Sequence, residues 1–414
     1  MLEDNPYIVK LSIGNFNNEY RNKMSEATSE HLKRFLQKNK LIVSLDMTGL
    51  GFTSVSLQNL YLGISENKSL KQLNLDRNSI GPWGGPILYD IVSSSCIESL
   101  NIANNSLGDQ GIREFARCLE GKNSHNLQKI NLSYNGIQSV GFLHIADHLS
   151  RNFILDELIL EGNSLGGNRL ISLKNFLPNS SLQTLSLRNC ELEDDCMEFV
   201  KLGLKKNKEL LNLDLSKNYI YAKGLKTLTE GLFSHPKIKS LNLSNNRIGD
   251  KAAEYFYTLL VDNKTIEKLN LDNNLASEGT AKQIIKVLKT NKVLNSVNLK
   301  NNSLNMHELA KIEEAVEKRN RQVEKETEQR MIREIKNLKQ FRQRKDEFIV
   351  ILKQKITEEQ AAKQELSEFL ERINEKKKSE LQVSDSLEAE LADVLNKVKN
   401  VNNILFSMED QQQE

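Results

Sequence analysis

The sequence predicts an α/β fold: a horseshoe of about ten strand–helix repeats with a parallel sheet on its concave face, followed by a long α-helical coiled coil. Three observations carry that expectation. The segment Ile238–Asp250, IKSLNLSNNRIGD, sets Ile238, Leu241, Leu243, Asn246 and Ile248 at a spacing that recurs along the chain. The Asn position or its substitute falls at Leu50, Asn78, Asn105, Asn135, Asn163, Cys190, Asn218, Asn246, Asn274 and Asn302, with gaps of 27 to 30 residues. After Leu304 the chain has neither glycine nor proline, and its apolar residues fall into steps of three and four.

Each repeated residue type has a physical reason. Leu241 and Leu243 are two apart, so on a strand both point into the core. Ile238 opens the strand and Ile248 follows the turn, in the same core layer. The Asn246 amide suits buried backbone groups of its own and the neighbouring coil. Cys190 is a known variant of that position, and Leu50 marks a degenerate terminal coil. Between the strands, GIREFARCL (111–119) and GFLHIADHL (141–149) carry apolar residues on one helical face. Asn39, Asn67, Asn123, Asn152, Asn179, Asn207, Asn263 and Asn291 end such segments, as expected of a residue that tolerates the left-handed closure of a helix. With one strand and one full helix in about 28 residues, the stretch 29–304 resembles the ribonuclease-inhibitor-like class of leucine-rich-repeat solenoids. The resemblance implies a fold. It leaves function open, because the class includes inhibitors, immune sensors, GTPase activators and axonemal subunits.

Three parts are expected: a loosely ordered N-terminal arm (1–27), the repeat domain with its N-terminal capping helix (28–304) and a helical coiled-coil tail (305–414). The segment TSEHLKRFLQKN from Thr28 reads as a repeat helix without its strand, covering the edge of the first coil. In GPWGGP, Pro82 and Pro86 bracket Trp83, which is expected to pack over its own coil. Charge is balanced, with 57 basic and 55 acidic residues, so nothing draws the whole chain to nucleic acid or membrane. The start lacks an apolar signal core, and no run approaches a membrane span. Four cysteines without C-x-x-C spacing read as reduced thiols of a cytoplasmic protein.

The tail holds 21 basic and 24 acidic residues. Its seam runs through Ile349, Leu352, Ile356, Leu366, Leu370, Ile373, Leu387, Leu391, Val394, Val398, Val401 and Leu405, with Glu359, Lys363, Lys377, Glu380 and Ser384 as polar interruptions. Twelve apolar residues at seventeen seam positions make a coiled coil. An earlier seam, Leu309, Ile312, Val316 and Val323, has another register, and a stutter or break is expected around Glu324–Met331. The seam lysines would repel in a parallel homodimer; an antiparallel arrangement or a heterologous helix would relieve this, and a heterologous partner helix is expected.

Between the core leucines of each strand, Asp46, Asn74, Asn101, Asn131, Ile159, Ser186, Asp214, Asn242, Asn270 and Asn298 point to the concave face. The ladder reads as a hydrogen-bonding surface or as the ordinary consensus of such repeats. The face balances Arg77, Lys129, Arg188, Lys217, Lys268 and Lys300 against Asp46, Asp76, Glu157, Glu161, Asp214 and Asp272, which argues against nucleic acid. The middle coils depart from small polar residues. Arg77, Tyr134, Glu157, Ile159, Glu161, Arg188, Asp214 and Lys217 are therefore the candidate protein-binding residues, as aromatic and arginine anchors dominate interfaces. His144 and His148 have a zinc-compatible spacing but no H-E-x-x-H and no third ligand, so no metal is expected. Phosphate-loop, dinucleotide and serine-nucleophile motifs are absent, and no cofactor or enzymatic activity is expected. Arg330–Lys355 carries nine basic and three acidic residues; it suits an acidic surface such as tubulin or RNA, or is a solvated coiled-coil face.

A rigid repeat domain tied to a long helix looks like the ciliary and centrosomal leucine-rich-repeat proteins and the leucine-rich-repeat subunits of the nexin–dynein regulatory complex. That resemblance implies a non-enzymatic scaffold in a cytoskeletal assembly, axoneme or basal body. The repeats are also similar to Ran GTPase-activating proteins. These carry an acidic segment after the repeats where this chain has a mixed-charge coiled coil, and Arg77 is the residue such a role would use.

Overall fold

The computed structural model describes residues 7–14, 25–120, 126–233, 235–379 and 392–399. Eleven strands form one parallel sheet in chain order. They are β1 Lys10–Ser12, β2 Ser44–Asp46, β3 Gln72–Asn74, β4 Ser99–Asn101, β5 Lys129–Asn131 and β6 Glu157–Ile159. Then follow β7 Thr184–Ser186, β8 Asn212–Asp214, β9 Ser240–Asn242, β10 Lys268–Asn270 and β11 Ser296–Asn298. The central residues stay in register, Leu45 beside Leu73, Leu73 beside Leu100, and so on to Leu269 beside Val297. Helices return the chain between strands: α1 Glu26–Lys38, α2 Ser54–Glu66, α3 Gly84–Ser94, α4 Gly108–Phe115 and α5 Ser139–Leu149. The later ones are α6 Leu173–Phe176, α7 Cys196–Leu204, α8 Ala222–Leu232, α9 Ala253–Val261, α10 Glu278–Thr290 and α11 Met306–Ser379. This is the leucine-rich-repeat solenoid that the spacing predicts.

One continuous core lies between sheet and helices, lined by the repeated Leu and Ile and by Phe35, Phe115, Phe142, Phe176 and Phe256. The repeated Asn closes each strand's turn. Asn246 Nδ2 donates to the carbonyls of Leu215 (3.0 Å), Leu243 (3.0 Å) and Ser244 (3.3 Å), and its Oδ1 accepts from the Ile220 amide at 3.1 Å. Among the described residues the Ile220 amide has no other partner, and the three carbonyls gain a second donor beside Asn218, Asn274 and the Lys217 amide. At Cys190 the thiol takes over, with Sγ 3.2 Å from the Leu160 carbonyl.

The helix-ending asparagines correct an expectation. Asn39, Asn67 and Asn291 have φ of −74°, −75° and −70°, which is extended backbone and not left-handed closure. Their role is a bridge between coils. Asn67 Nδ2 donates to the carbonyls of Leu36 (2.7 Å) and Asn39 (2.8 Å), while its Oδ1 accepts from the amides of Ser69 and Leu70. His235 holds the same position and uses Nδ1 to accept from Lys237 and Ile238 at 3.3 and 3.2 Å. Burial pushes its pKa down to about 4, so the ring is neutral and acts as an acceptor.

Two further differences concern the first coils. Residues Ile8, Leu11 and Ile13, expected in a loose arm, pack against the core, and β1 pairs with β2 through Leu11 and Leu45. Helix α1 therefore has its strand. Trp83 is 75% exposed and does not pack over its coil. The glycines beside it serve a close approach: a Cβ on Gly85 would stand 2.2 Å from the Gly111 carbonyl oxygen of the next coil.

The chain divides into two compact units, Met1–Arg321 and Gln322–Glu414. The first turns of α11 belong to the solenoid unit. Ile312 is buried, Leu309, Ala315 and Val316 pack beside it, and Asn320 Nδ2 donates to the Asn295 carbonyl at 3.0 Å. Arg319 donates to the carbonyl of Lys292. Helix α11 runs unbroken through Glu324–Met331, so any change of seam register there happens without interrupting the helix. In the second unit Leu352, Ile356, Leu366, Leu370 and Val398 are half-buried, Val394 is buried and Ile349 is exposed. The side chain of Ile373 and the residues Leu387, Leu391, Val401 and Leu405 lie outside the described residues.

Candidate protein-binding surface

The sheet's open face begins with the residues that sit between core positions on each strand. Their amide and carboxylate oxygens bond to their own turns. Oδ1 of Asn74, Asn101, Asn131, Asp214, Asn242, Asn270 and Asn298 each accepts from the amide two residues on, at 2.8–3.1 Å. The ladder is therefore built into the turns, and its oxygens are committed before any partner arrives.

That turn forces the residue before the repeated Asn into the left-handed region. Asn104, Asn189, Asn245, Asn273 and Asn301 occupy it with φ between 49° and 56°, as Asn tolerates. Arg77 (φ 55°), Tyr134 (φ 52°) and Lys217 (φ 55°) occupy the same site at a steric cost of about 1 kcal/mol each. Three of the eight candidate residues thus stand where their side-chain type is disfavoured.

The middle coils are joined side by side. Tyr134 Oη donates to Glu161 Oε1 at 2.9 Å, and Arg188 Nε donates to the same oxygen at 3.0 Å. Arg188 Nη1 continues to Ser216 Oγ at 2.9 Å. The chain of bonds crosses from the turn after β5 to the turn after β8. Partial burial, followed by the bond to Glu161, raises the Tyr134 hydroxyl above its ordinary pKa, so it remains a donor at neutral pH. The Tyr134 ring lies over Gly162, where a Cβ would come within 2.2 Å of Cε1. Tyr134 nevertheless stays 42% exposed.

The other candidates fall into place around this row. Ile159 is half-buried on β6. Glu157 pairs with Lys129 at 3.5 Å. Asp214 Oδ2 accepts from Asn242 Nδ2 at 3.0 Å. Arg77 is separate from the network and pairs with Asp76 at 3.5 Å.

A second cluster escaped the sequence reading. Arg247 lies over the rings of Tyr219 and Tyr221 at 5.2 and 5.6 Å, and donates to Tyr221 Oη at 2.5 Å. Glu193, Asp194, Asp195 and Lys223 complete the hollow beside it. Tyr219, Arg247 and the exposed Leu275 are 28 residues apart in turn, so the repeat stacks them. Stepping the period through this loop position would have found them.

The buried cysteines sit in environments that suppress the thiolate. Burial raises the Cys118 and Cys196 thiols and pushes Cys190 up to about 12, so all three stay protonated. Among the described residues no group of three or more His, Cys, Asp or Glu could hold a metal ion, and no helix is long and apolar enough to cross a membrane.

A family model described as Leucine Rich repeat matches residues 93–116, 123–146 and 234–256. The chain carries leucine-rich repeats. Its repeats are 30% identical over 215 residues to NACHT, LRR and PYD domains-containing protein 5 of Homo sapiens, covering 51% of this chain and 18% of that protein. They are 28% identical over 214 residues to the ribonuclease inhibitor of Sus scrofa, covering 51% and 47%. The leucine-rich-repeat chain thus spans less than half the length of either relative. Among solved structures, Rad7 in its complex with Elc1 in yeast aligns with a TM-score of 0.44 at 17% identity, covering 67% of this chain and 74% of that one. An internalin (inlF) of Listeria monocytogenes aligns with a TM-score of 0.43 at 17% identity, covering 74% and 84%.

Proposed function

We propose that the chain is a non-enzymatic protein-binding scaffold that grips its partner on the open sheet face of the middle coils. The observation that carries this reading is the Tyr134–Glu161–Arg188–Ser216 row. It holds an aromatic ring and a guanidinium in place before binding, so little side-chain freedom is left to lose when a partner docks. Tyr and Arg are the residues that most often dominate such contacts. Pull-down of the full chain followed by mass spectrometry tests the idea. Tyr134→Ala and Arg188→Ala should each remove the specific partners, and unchanged partner sets in both variants would sink it.

The narrower reading is a structural or adaptor subunit of a cytoskeletal assembly, at an axoneme or basal body, with the seam residues of the tail pairing with a heterologous helix. Its support is the joining of a rigid repeat unit to a long charged helix. A tagged full chain should mark those structures in a ciliated cell, and a diffuse signal would refute the placement. GTPase activation of the Ran type keeps one candidate, Arg77, which is exposed and held in a disfavoured backbone conformation. Failure of the chain to accelerate GTP hydrolysis by a Ran-type GTPase would remove that alternative.

A further inference from the structure

Helix α11 contains a stretch that is apolar, charged and wholly exposed. Residues 328–351 are exposed without exception, yet they include Met331, Ile335, Leu338, Phe341, Phe348 and Ile349. Leu338 and Phe341 are 66% and 68% exposed. At about 100° per residue these six side chains fall on one side of the helix, a stripe about 27 Å long, while the exposed Ile332, Val350 and Ile351 lie off it. From Arg330 to Lys355 nine basic residues face Glu334, Asp346 and Glu347, a net of six positive charges. The nearest ion pairs of the helix, Arg321–Glu317 at 2.8 Å and Arg372–Glu368 at 3.8 Å, lie on either side of this stretch.

We propose that Met331–Ile349 is a recognition helix for a partner protein whose acidic, apolar-floored groove closes around it. Charge selects that occupant. A second copy of Met331–Ile349 would set a net of three positive charges, six basic less three acidic residues, against three. A lipid surface is flat and uses basic residues at the border of an apolar stripe. Here Arg342 and Lys345 stand inside the stripe, and Arg333 and Lys336 stand on the far side. A disordered acidic tail offers charge but no floor for Phe341 and Phe348. A groove that wraps the helix supplies carboxylates on every side and an apolar bed beneath, the way in which acidic helix-binding proteins take basic amphipathic helices. The proposal is independent of the sheet-face reading, which uses other residues.

The full chain is titrated with calcium-loaded calmodulin, as a protein with such a groove, and separately with vesicles of phosphatidylcholine and phosphatidylserine. Saturable one-to-one binding to the protein probe is the expected result. The double variants Leu338→Gln/Phe341→Gln and Arg342→Glu/Lys345→Glu should each weaken it by about tenfold or more. Helix content by circular dichroism should hold, since all four positions are exposed, and Tyr134→Ala should bind as the wild type does. No binding to the probe overturns the proposal. So does binding that either double variant leaves unchanged, or binding to vesicles alone.

Discussion

The corner after most strands and the corner after most helices are both closed by asparagines about 28 residues apart, but the two corners work differently. After the strand, Asn246 bonds three carbonyls and one amide, and the residue before it takes φ of 56°. After the helix, Asn67 bonds two carbonyls of the coil before and two amides of its own, on extended backbone. Both positions use a side chain that bonds backbone on both sides of a coil boundary. Only the strand corner adds backbone strain, and that is where Arg77, Tyr134 and Lys217 sit. The helix corner needs chiefly an acceptor for two amides, which explains why His235 can serve there.

The comparison can be broken most sharply at the strand corner. Asn246→Ala should cost ~3 kcal/mol in a denaturant titration, because the buried Ile220 amide loses its only partner and three buried carbonyls each lose one of two donors. Asn67→Gly should cost about 2 kcal/mol. If that position instead needed left-handed backbone, glycine would be neutral there, and an unchanged midpoint would refute the bridging role.

His235 gives the helix corner a pH dependence. Its folded pKa of about 4 lies below the unfolded value of about 6.5. The unfolded chain therefore takes up a proton that the folded chain refuses, and stability falls as pH drops from about 6.5 toward 4, with no loss above that window. Replacement by the commoner residue, His235→Asn, should flatten the fall; parallel melting curves from pH 7 to 4 for both proteins would show the ring plays no such part.

Smaller effects belong to the open face. Asn242→Ala loses the bonds to Ser244 and Asp214, and should cost about 1 kcal/mol. Lys217→Gly should gain about 0.5 kcal/mol by relieving the left-handed strain, less the entropy that glycine brings to the unfolded chain. A loss at Lys217 would mean that its side chain holds the face together.

The sequence reading succeeded where a need recurs in every coil. Ile238, Leu241, Leu243 and Asn246 announce the strand, the core layer and the turn because each coil must bury and satisfy the same groups. It failed at β1, where Ile8, Leu11 and Ile13 keep the core spacing but the step from Leu11 to Leu45 is 34 residues, outside the period. Helix closure was misread because Asn suits both a left-handed cap and a bridge, and composition cannot separate them. Of the surface, Tyr134, Glu161 and Arg188 were legible as departures from small polar residues. The bonds joining them depend on side-chain reach, which spacing does not encode. Tyr219 and Arg247 do share the period with Leu275, but they stand at a loop position outside the core pattern, where no repeated residue type marks them.

The strand-corner asparagines also give the solenoid a direction in time. Asn135 accepts from the amides of Asn105 and Leu107 in the coil before it, and Asn246 serves Leu215 and Ile220 in the same sense. A coil therefore carries an unmet buried amide, such as that of Ile220, until its successor stacks on it. The last coil has no successor of its own kind. Its open carbonyls at Lys292 and Asn295 are met by Arg319 and Asn320 of α11, so the beginning of the long helix acts as the stop signal for growth of the stack.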